Sequence, residues 1–143
     1  MPTPAENHDL EGCFVCGSAN PDGMHLTFAV PAPGEVEAHC RLDALWTGWR
    51  GLAHGGLLAA MMDEALGWAC ATFGRTALTA RLEVRYLVPV EPGAEVLVRA
   101  KVLRRDRRLA AAQAEVQLAG GPIVATAKAT MVYADDLPRP AQA

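Results

Sequence analysis

Between His54 and Phe73 the chain reads HGGLLAAMMDEALGWACATF, and from Leu57 onward its only charged residues are the neighbours Asp63 and Glu64. The rest of the run is apolar around its whole circumference instead of along one stripe, the pattern of a helix enclosed on every side. A membrane span is disfavoured by the same residues. Crossing takes about 20 predominantly apolar residues, and each central carboxylate adds roughly 2.5 to 3.5 kcal/mol to insertion. Burying a carboxylate without a partner costs roughly several kcal/mol, or raises its proton affinity until it is neutral, so Asp63 and Glu64 are the first residues to examine for function.

The entry to this helix is His54-Gly55-Gly56. A helix start has unpaired N–H groups and a partial positive charge, and two residues without side chains let a ligand oxygen approach them closely. The plainer alternative is a tight turn into the helix. Asp63 lies seven positions after Gly56, nearly two whole turns, and so shares its stripe, whereas Glu64 lies about 100° round the helix. Asp63 is therefore the expected base, and Glu64 the structural or fallback carboxylate. His54 reads as a positioning group and not the proton carrier, with simple capping or packing as its alternative.

A chain of 143 residues is one domain with room for a single core. A formal net charge of -3 gives no reason to expect nucleic acid as partner. The opening MPTPAENHDLEG has no charged-then-apolar signal, so the expectation is a cytoplasmic protein. Residues 1–12 and 134–143 read as flexible tails around one domain at 13–133. The four cysteines read as reduced and not as a disulfide framework. Cys13-x-x-Cys16 begins CFVCGSANPDGMHL, but a zinc site needs about four ligands and the usual second pair is missing. His25 and Cys40 complete a set only if the fold brings them there. The expectation is a compact loop, with Cys13, Phe14 and Cys16 turned inward and Asn20-Pro21-Asp22-Gly23 making the turn, and neither metal nor cofactor.

Period-two patterns fill most of the remainder. A short strand is expected over Met24–Val30, ended by Pro31-Ala32-Pro33-Gly34. From Glu35 to Leu42, Val36, Ala38, Cys40 and Leu42 share one face, and Glu35, Glu37, His39 and Arg41 the other. After the helix, Leu78, Ala80, Leu82, Val84, Tyr86 and Val88 alternate with Thr79, Arg81, Glu83 and Arg85. Pro89–Gly93 turns the chain, and Val96, Val98, Ala100 and Val102 repeat the period. The 104–108 tip turns it again into Ala110, Ala112, Ala114, Val116 and Leu118, and Gly120-Gly121-Pro122 leads to Ile123, Ala125, Ala127, Ala129, Met131 and Tyr133. Short turns between such strands imply an antiparallel meander. The fold class is therefore α+β, with a sheet of five to six antiparallel strands curled around one long central helix. Small residues on the sheet face permit the wrapping. Remaining helix surface and open sheet edges ask for at least a second subunit.

These features resemble the hotdog-fold acyl-CoA thioesterases, the phenylacetate-degradation type in particular. The residues that carry the likeness are Cys13-Phe14-Val15-Cys16-Gly17, Asn20-Pro21 and Gly23, the HGGLLAAMMDE core, and Tyr86-Leu87-Val88-Pro89-Val90 with Gly93. The resemblance implies a homodimer or dimer of dimers with sites at the subunit interface, and an acyl-CoA substrate whose carbonyl rests on the Gly55 N–H with Gly56 beside it. It also implies that Asp63 of the facing subunit activates water or attacks directly, assisted by Thr79. Many members carry Asn or another polar residue six positions before the histidine, where this chain has Gly48.

Phosphates of coenzyme A favour arginine clusters. Arg81, Arg85, Arg104 and Arg105 are the candidates taken as substrate contacts together with Gly56 and Glu64, and Arg99 and Lys101 stand behind them, although solubility alone accounts for any one of the basic charges. Two other functions compete. An acyl-thioester hydratase or dehydratase would pair a catalytic His with an acid at other spacings, which the chain lacks. A non-catalytic acyl-CoA sensor would keep the pocket, but its usual companion, a DNA-binding helix pair, is absent from a chain spent almost wholly on sheet and helix.

Overall fold

A computed structural model describes residues 12–134, so the expected terminal tails lie outside the described residues apart from Gly12 and Ala134. Strands β1 (Ala29–Ala32) and β2 (Glu35–Arg41) precede helix α1 (Gly55–Ala71). Strands β3 (Ala77–Tyr86), β4 (Glu95–Arg105), β5 (Leu109–Leu118) and β6 (Ile123–Tyr133) follow it. All six strands form one antiparallel sheet in the order β1-β2-β4-β5-β6-β3. Among the described residues no helix is long and apolar enough to cross a membrane.

The sheet is not the simple meander that short turns suggest. β3 and β4 are consecutive in sequence but stand apart, β3 pairing with β6 at one edge and β4 with β2. Residues 87–94 make the crossing instead of a hairpin turn. The N–H groups of Leu87 and Val88 bond Val124, Val90 accepts from the Ala53 N–H beside the helix start, and Ala94 accepts from Leu42. This path lets the sheet close around α1, because the strands before and after the helix end on opposite sides of it.

The helix can sit this deep because the strand faces beneath it are small. Ala100, Ala110, Ala112, Ala114, Ala125, Ala127 and Ala129 are all buried with Val96, Val98, Val116 and Met131 against Met61, Met62, Ala65, Leu66 and Ala69. Truncating one of the large members, such as Leu66 or Met62, to Ala leaves a cavity worth about 2–5 kcal/mol. The outer face is polar: Arg99 pairs across the sheet with Glu37 (3.8 Å) and Glu115 (3.4 Å), and Lys101 with Glu35 (3.4 Å).

Five local expectations need correction. Phe14, expected to turn inward beside Cys13 and Cys16, is 48 % exposed, and Val15 is the loop residue that is buried. The first strand is not Met24–Val30 but Ala29–Ala32, starting later and running through Pro31 and Ala32. His25 has a positive φ of 53°, and residues 24–26 bond the N-terminal loop instead, the Met24 N–H to the Phe14 carbonyl and the Leu26 N–H to Val15 (both 2.9 Å). Along β3 a bulge at Ala80 breaks the alternation, so that Thr79 lies opposite buried Met131 and Leu78 opposite Val132. Leu78 is consequently 51 % exposed and Thr79 turns toward the helix. At the start of β6 an irregularity exposes Ile123 and buries Val124. Finally, α1 is not enclosed within one chain: Gly56 is exposed, and Ala59, Ala60, Asp63, Gly67 and Ala71 are only half-buried.

Candidate functional site

Two side-chain constellations flank the helix, one at its start and one on its uncovered stripe. At the start, His54 is the N-cap, its Nδ1 accepting the Gly56 N–H at 2.8 Å. That bond fixes the tautomer: Nδ1 carries the lone pair and the proton stays on Nε2. The capping alternative for His54 is therefore present in the structure, and the Gly56 N–H is already taken. The neighbouring Gly55 N–H has no acceptor among the described residues. It remains an open donor at the positive end of the helix.

A side chain on either glycine would press on a functional neighbour. A Cβ on Gly55 would lie 3.2 Å from Tyr86 Cζ, and one on Gly56 would lie 3.0 Å from His54 Nδ1. Tyr86 also donates its hydroxyl to the Gly55 carbonyl at 2.7 Å. Its role at the helix start escaped the sequence, which places Tyr86 on the inner face of β3 without saying that the strand ends at Gly55. Gly48 lies against the same imidazole: a Cβ there would lie 3.1 Å from His54 Cδ2, so a side chain at this position presses the ring aside by a few tenths of an ångström.

On the uncovered stripe, Thr79 Oγ1 donates to Asp63 Oδ1 at 2.5 Å. The bulge in β3 makes the bond, since regular alternation would point Thr79 outward; bulges commonly re-aim one side chain in this way. Asp63 thus sits half-buried, oriented by a hydroxyl, on a helix whose one other charge is Glu64. Eight residues separate it from Gly55, about 12 Å along the axis. The fold brings together His54, Gly55, Gly56 and Tyr86 at one point and Asp63 with Thr79 at another, and does not join the two within one chain.

Glu64 belongs to neither. Its Oε1 accepts from Cys13 Sγ (3.4 Å) and from Trp68 Nε1 (3.1 Å), and Trp68 stacks on Phe28 with ring centroids 5.6 Å apart. Burial, reinforced by the bond and charge of Glu64 and by Cys13, pushes the Cys16 thiol far above its ordinary value. Among the described residues, Cys13, Cys16 and Glu64 form the cluster able to hold a metal ion, and His25 and Cys40 have no part in it.

The arginines do not gather at the helix start. Arg81 and Arg85 lie opposite Thr130 and Thr126 on the outer face of the sheet, Arg81 paired with Glu83 at 3.1 Å. Arg105 stacks over Phe73 at 3.8 Å, near the C-terminal end of α1. Beside Arg104 and Arg105 the hairpin tip is structured by Asp106, which accepts from the N–H groups of Leu109 and Arg108, bonds that hold its carboxyl below the ordinary value. Of the two loop tryptophans, Trp46 packs on the core while Trp49 is 84 % exposed.

The model of the Thioesterase superfamily matches residues 50–125. Human acyl-coenzyme A thioesterase 13 is 26% identical over 87 residues, 59% of this chain and 62% of its own length. The chain thus spans less than two thirds of that curated relative. A conserved protein of Pseudomonas aeruginosa is 30% identical with a TM-score of 0.70, covering 77% of this chain and 89% of that one. A hypothetical thioesterase protein of Streptococcus pneumoniae, solved with coenzyme A, shares the fold at a TM-score of 0.72 and 18% identity, over 76% of this chain and 84% of its own.

Proposed function

Because the chain belongs to the thioesterase superfamily, we propose that it is an acyl-CoA thioesterase that hydrolyses an acyl-CoA to the free acid and coenzyme A. The observation that carries this reading is the Asp63–Thr79 pair on the open stripe of α1, about 12 Å from the open Gly55 N–H. A general base must come within about 2.6–3.2 Å of the proton it takes, or reach it through one water. Asp63 of one copy cannot therefore serve a carbonyl held at its own Gly55. A second copy with its helix running the opposite way brings the two points together. The small residues Gly56, Ala60 and Gly67 flanking Asp63, and the unpaired outer edge of β3 with exposed Leu78 and, just past the strand, Leu87, are the surfaces such a homodimer would use.

In the proposed reaction the thioester oxygen accepts from the Gly55 N–H, with His54 and Tyr86 holding the helix start in place. The partner copy's carboxylate at position 63, oriented by its threonine, removes a proton from water as the water oxygen bonds the carbonyl carbon. The tetrahedral oxyanion then collapses, the C–S bond breaks, and the proton passes to the departing coenzyme A sulfur. One oxyanion donor of this kind is typically worth about 10² to 10³ in rate. The streptococcal protein, solved with coenzyme A, supports the substrate class. It has also been solved as an Asp-to-Ala and a Thr-to-Ala variant, at positions separated by the same interval as Asp63 and Thr79.

The test is release of free thiol from a panel of short, medium, long and aromatic acyl-CoAs. Turnover by the wild type with loss of at least 10³-fold in Asp63→Asn supports the mechanism. Binding of acyl-CoA with no turnover across the panel would replace it with a sensor.

A further inference from the structure

We propose that Cys13, Cys16 and Glu64 bind a zinc ion that ties the N-terminal loop to the central helix. The site stands outside the proposed catalytic machinery and does not depend on the thioesterase reading. From sequence the Cys-x-x-Cys pair lacks further ligands. The structure supplies a carboxylate from α1, 51 residues away from Cys13 in sequence, and brings the three donor atoms within 4.8 Å of one another.

The geometry is close to what the ion requires. Zinc bonds of about 2.3 Å to sulfur and about 2.0–2.2 Å to carboxylate oxygen place tetrahedral donors about 3.5–3.8 Å apart. Cys13 Sγ and Glu64 Oε1 are already 3.4 Å apart. The rest of the closure is at most about an ångström, within reach of half-buried cysteine side chains that rotate about one torsion. The fourth position falls to water.

The surroundings hold the ligands in place without the ion. Gly17 N–H bonds the Cys13 carbonyl at 2.9 Å, and buried Val15 anchors the loop between the two cysteines, its carbonyl accepting from Leu26. Gly23 is required where a Cβ would stand 2.8 Å from the Phe14 carbonyl. Trp68 Nε1–H orients the carboxylate, the supporting contact that metal-binding carboxylates usually have. Two thiolates and a carboxylate crowded together carry three negative charges, which a divalent ion reduces to one. Thiolate donors favour zinc over magnesium or calcium, and the carboxylate disfavours copper(I).

The full chain, stripped with a chelator under reducing conditions, is titrated with Zn²⁺ against a chromophoric competitor, and in parallel with Co²⁺. The expected result is one Zn²⁺ per chain and a thiolate-to-cobalt charge-transfer band. Cys13→Ser and Cys16→Ser should each abolish the band, and Glu64→Gln should weaken Zn²⁺ binding at least tenfold while both thiolates still give it. Zn²⁺ should also raise the thermal midpoint of the wild type but not of the double serine variant, with circular dichroism confirming that each variant is folded. Absence of both stoichiometric uptake and the band overturns the proposal. So does undiminished binding by the double serine variant, or a two-dalton mass loss from a Cys13–Cys16 disulfide in protein that takes up no metal when reduced.

Discussion

Thr79→Val isolates one hydrogen bond. Valine keeps the β-branched shape at an edge-strand position and removes only the hydroxyl that donates to Asp63 Oδ1 at 2.5 Å. A hydrogen bond to a charged group contributes about 1.5–3 kcal/mol. If Thr79 orients the carboxylate for proton transfer, that amount is lost at the transition state, which corresponds to a fall in kcat of about 10- to 150-fold. KM should change little, because the hydroxyl points at the acid and not toward the open Gly55 donor. Thr79→Ser, which retains the donor, should recover to within about threefold of wild type, since it forfeits only a methyl group at an exposed site. Both variants are assayed by thiol release from a substrate the wild type turns over, with thermal midpoints measured to exclude unfolding. A Thr79→Val variant that keeps more than half of the wild-type kcat, or a serine variant no better than the valine one, would refute an orienting role for the hydroxyl.

Three further outcomes follow from the same geometry. Gly55→Ala puts a Cβ 3.2 Å from the Tyr86 ring, so kcat/KM should fall by about 10²-fold or more as the carbonyl donor moves, and a crystal structure should show the tyrosine displaced. Leu78→Lys, on the outer face of the unpaired edge strand, should shift the protein toward monomer in light scattering and reduce activity in step with dimer loss. Burial pushes the Cys70 thiol from its ordinary value of 9.0 to about 11. The unfolded chain therefore ionises first, and stability present below pH 9 is lost as pH rises toward 11, by up to about 1.4 kcal/mol per unit. Cys16 and Cys40 are shifted in the same direction, so Cys70→Ala should lessen the slope of thermal midpoint against pH in that window without flattening it.

What could be read from the chain without coordinates was set by how one-sided each element is. β2 and most of β4 and β5 keep one wet and one dry face, so a period of two identifies their inner residues; Val36, Ala38, Val96, Val98, Ala112 and Ala114 are buried as the pattern requires, and the pattern slips in β4 only past Val102. β3 defeats the same rule. A single extra residue at Ala80 shifts the phase, and alternation alone carries no mark of where a strand skips. The strand order was hidden for a related reason: eight residues between β3 and β4 suit a loose hairpin as well as a crossing, and only the bonds to Val124, Ala53 and Leu42 decide it. Glu64 was legible as an unusual carboxylate but not as the neighbour of Cys13, because nothing local connects residues so far apart in sequence.

The helix shows most sharply where sequence and structure part. Apolar residues all round it imply burial all round, yet periodicity cannot distinguish cover supplied by the chain's own sheet from cover supplied by another copy. In the single chain the uncovered stripe runs through Gly56, Ala60, Asp63 and Gly67. A stripe interrupted by an ionisable group, and bordered by residues too small to shield it, is poorly suited to face water alone or to pack against a plain hydrophobic surface. Cover that brings a polar ligand with it satisfies both halves of the stripe. A second helix start, with its open glycine N–H and a bound thioester, is such a surface. Dilution to monomer should therefore abolish turnover even though every residue of the proposed site is present in each chain.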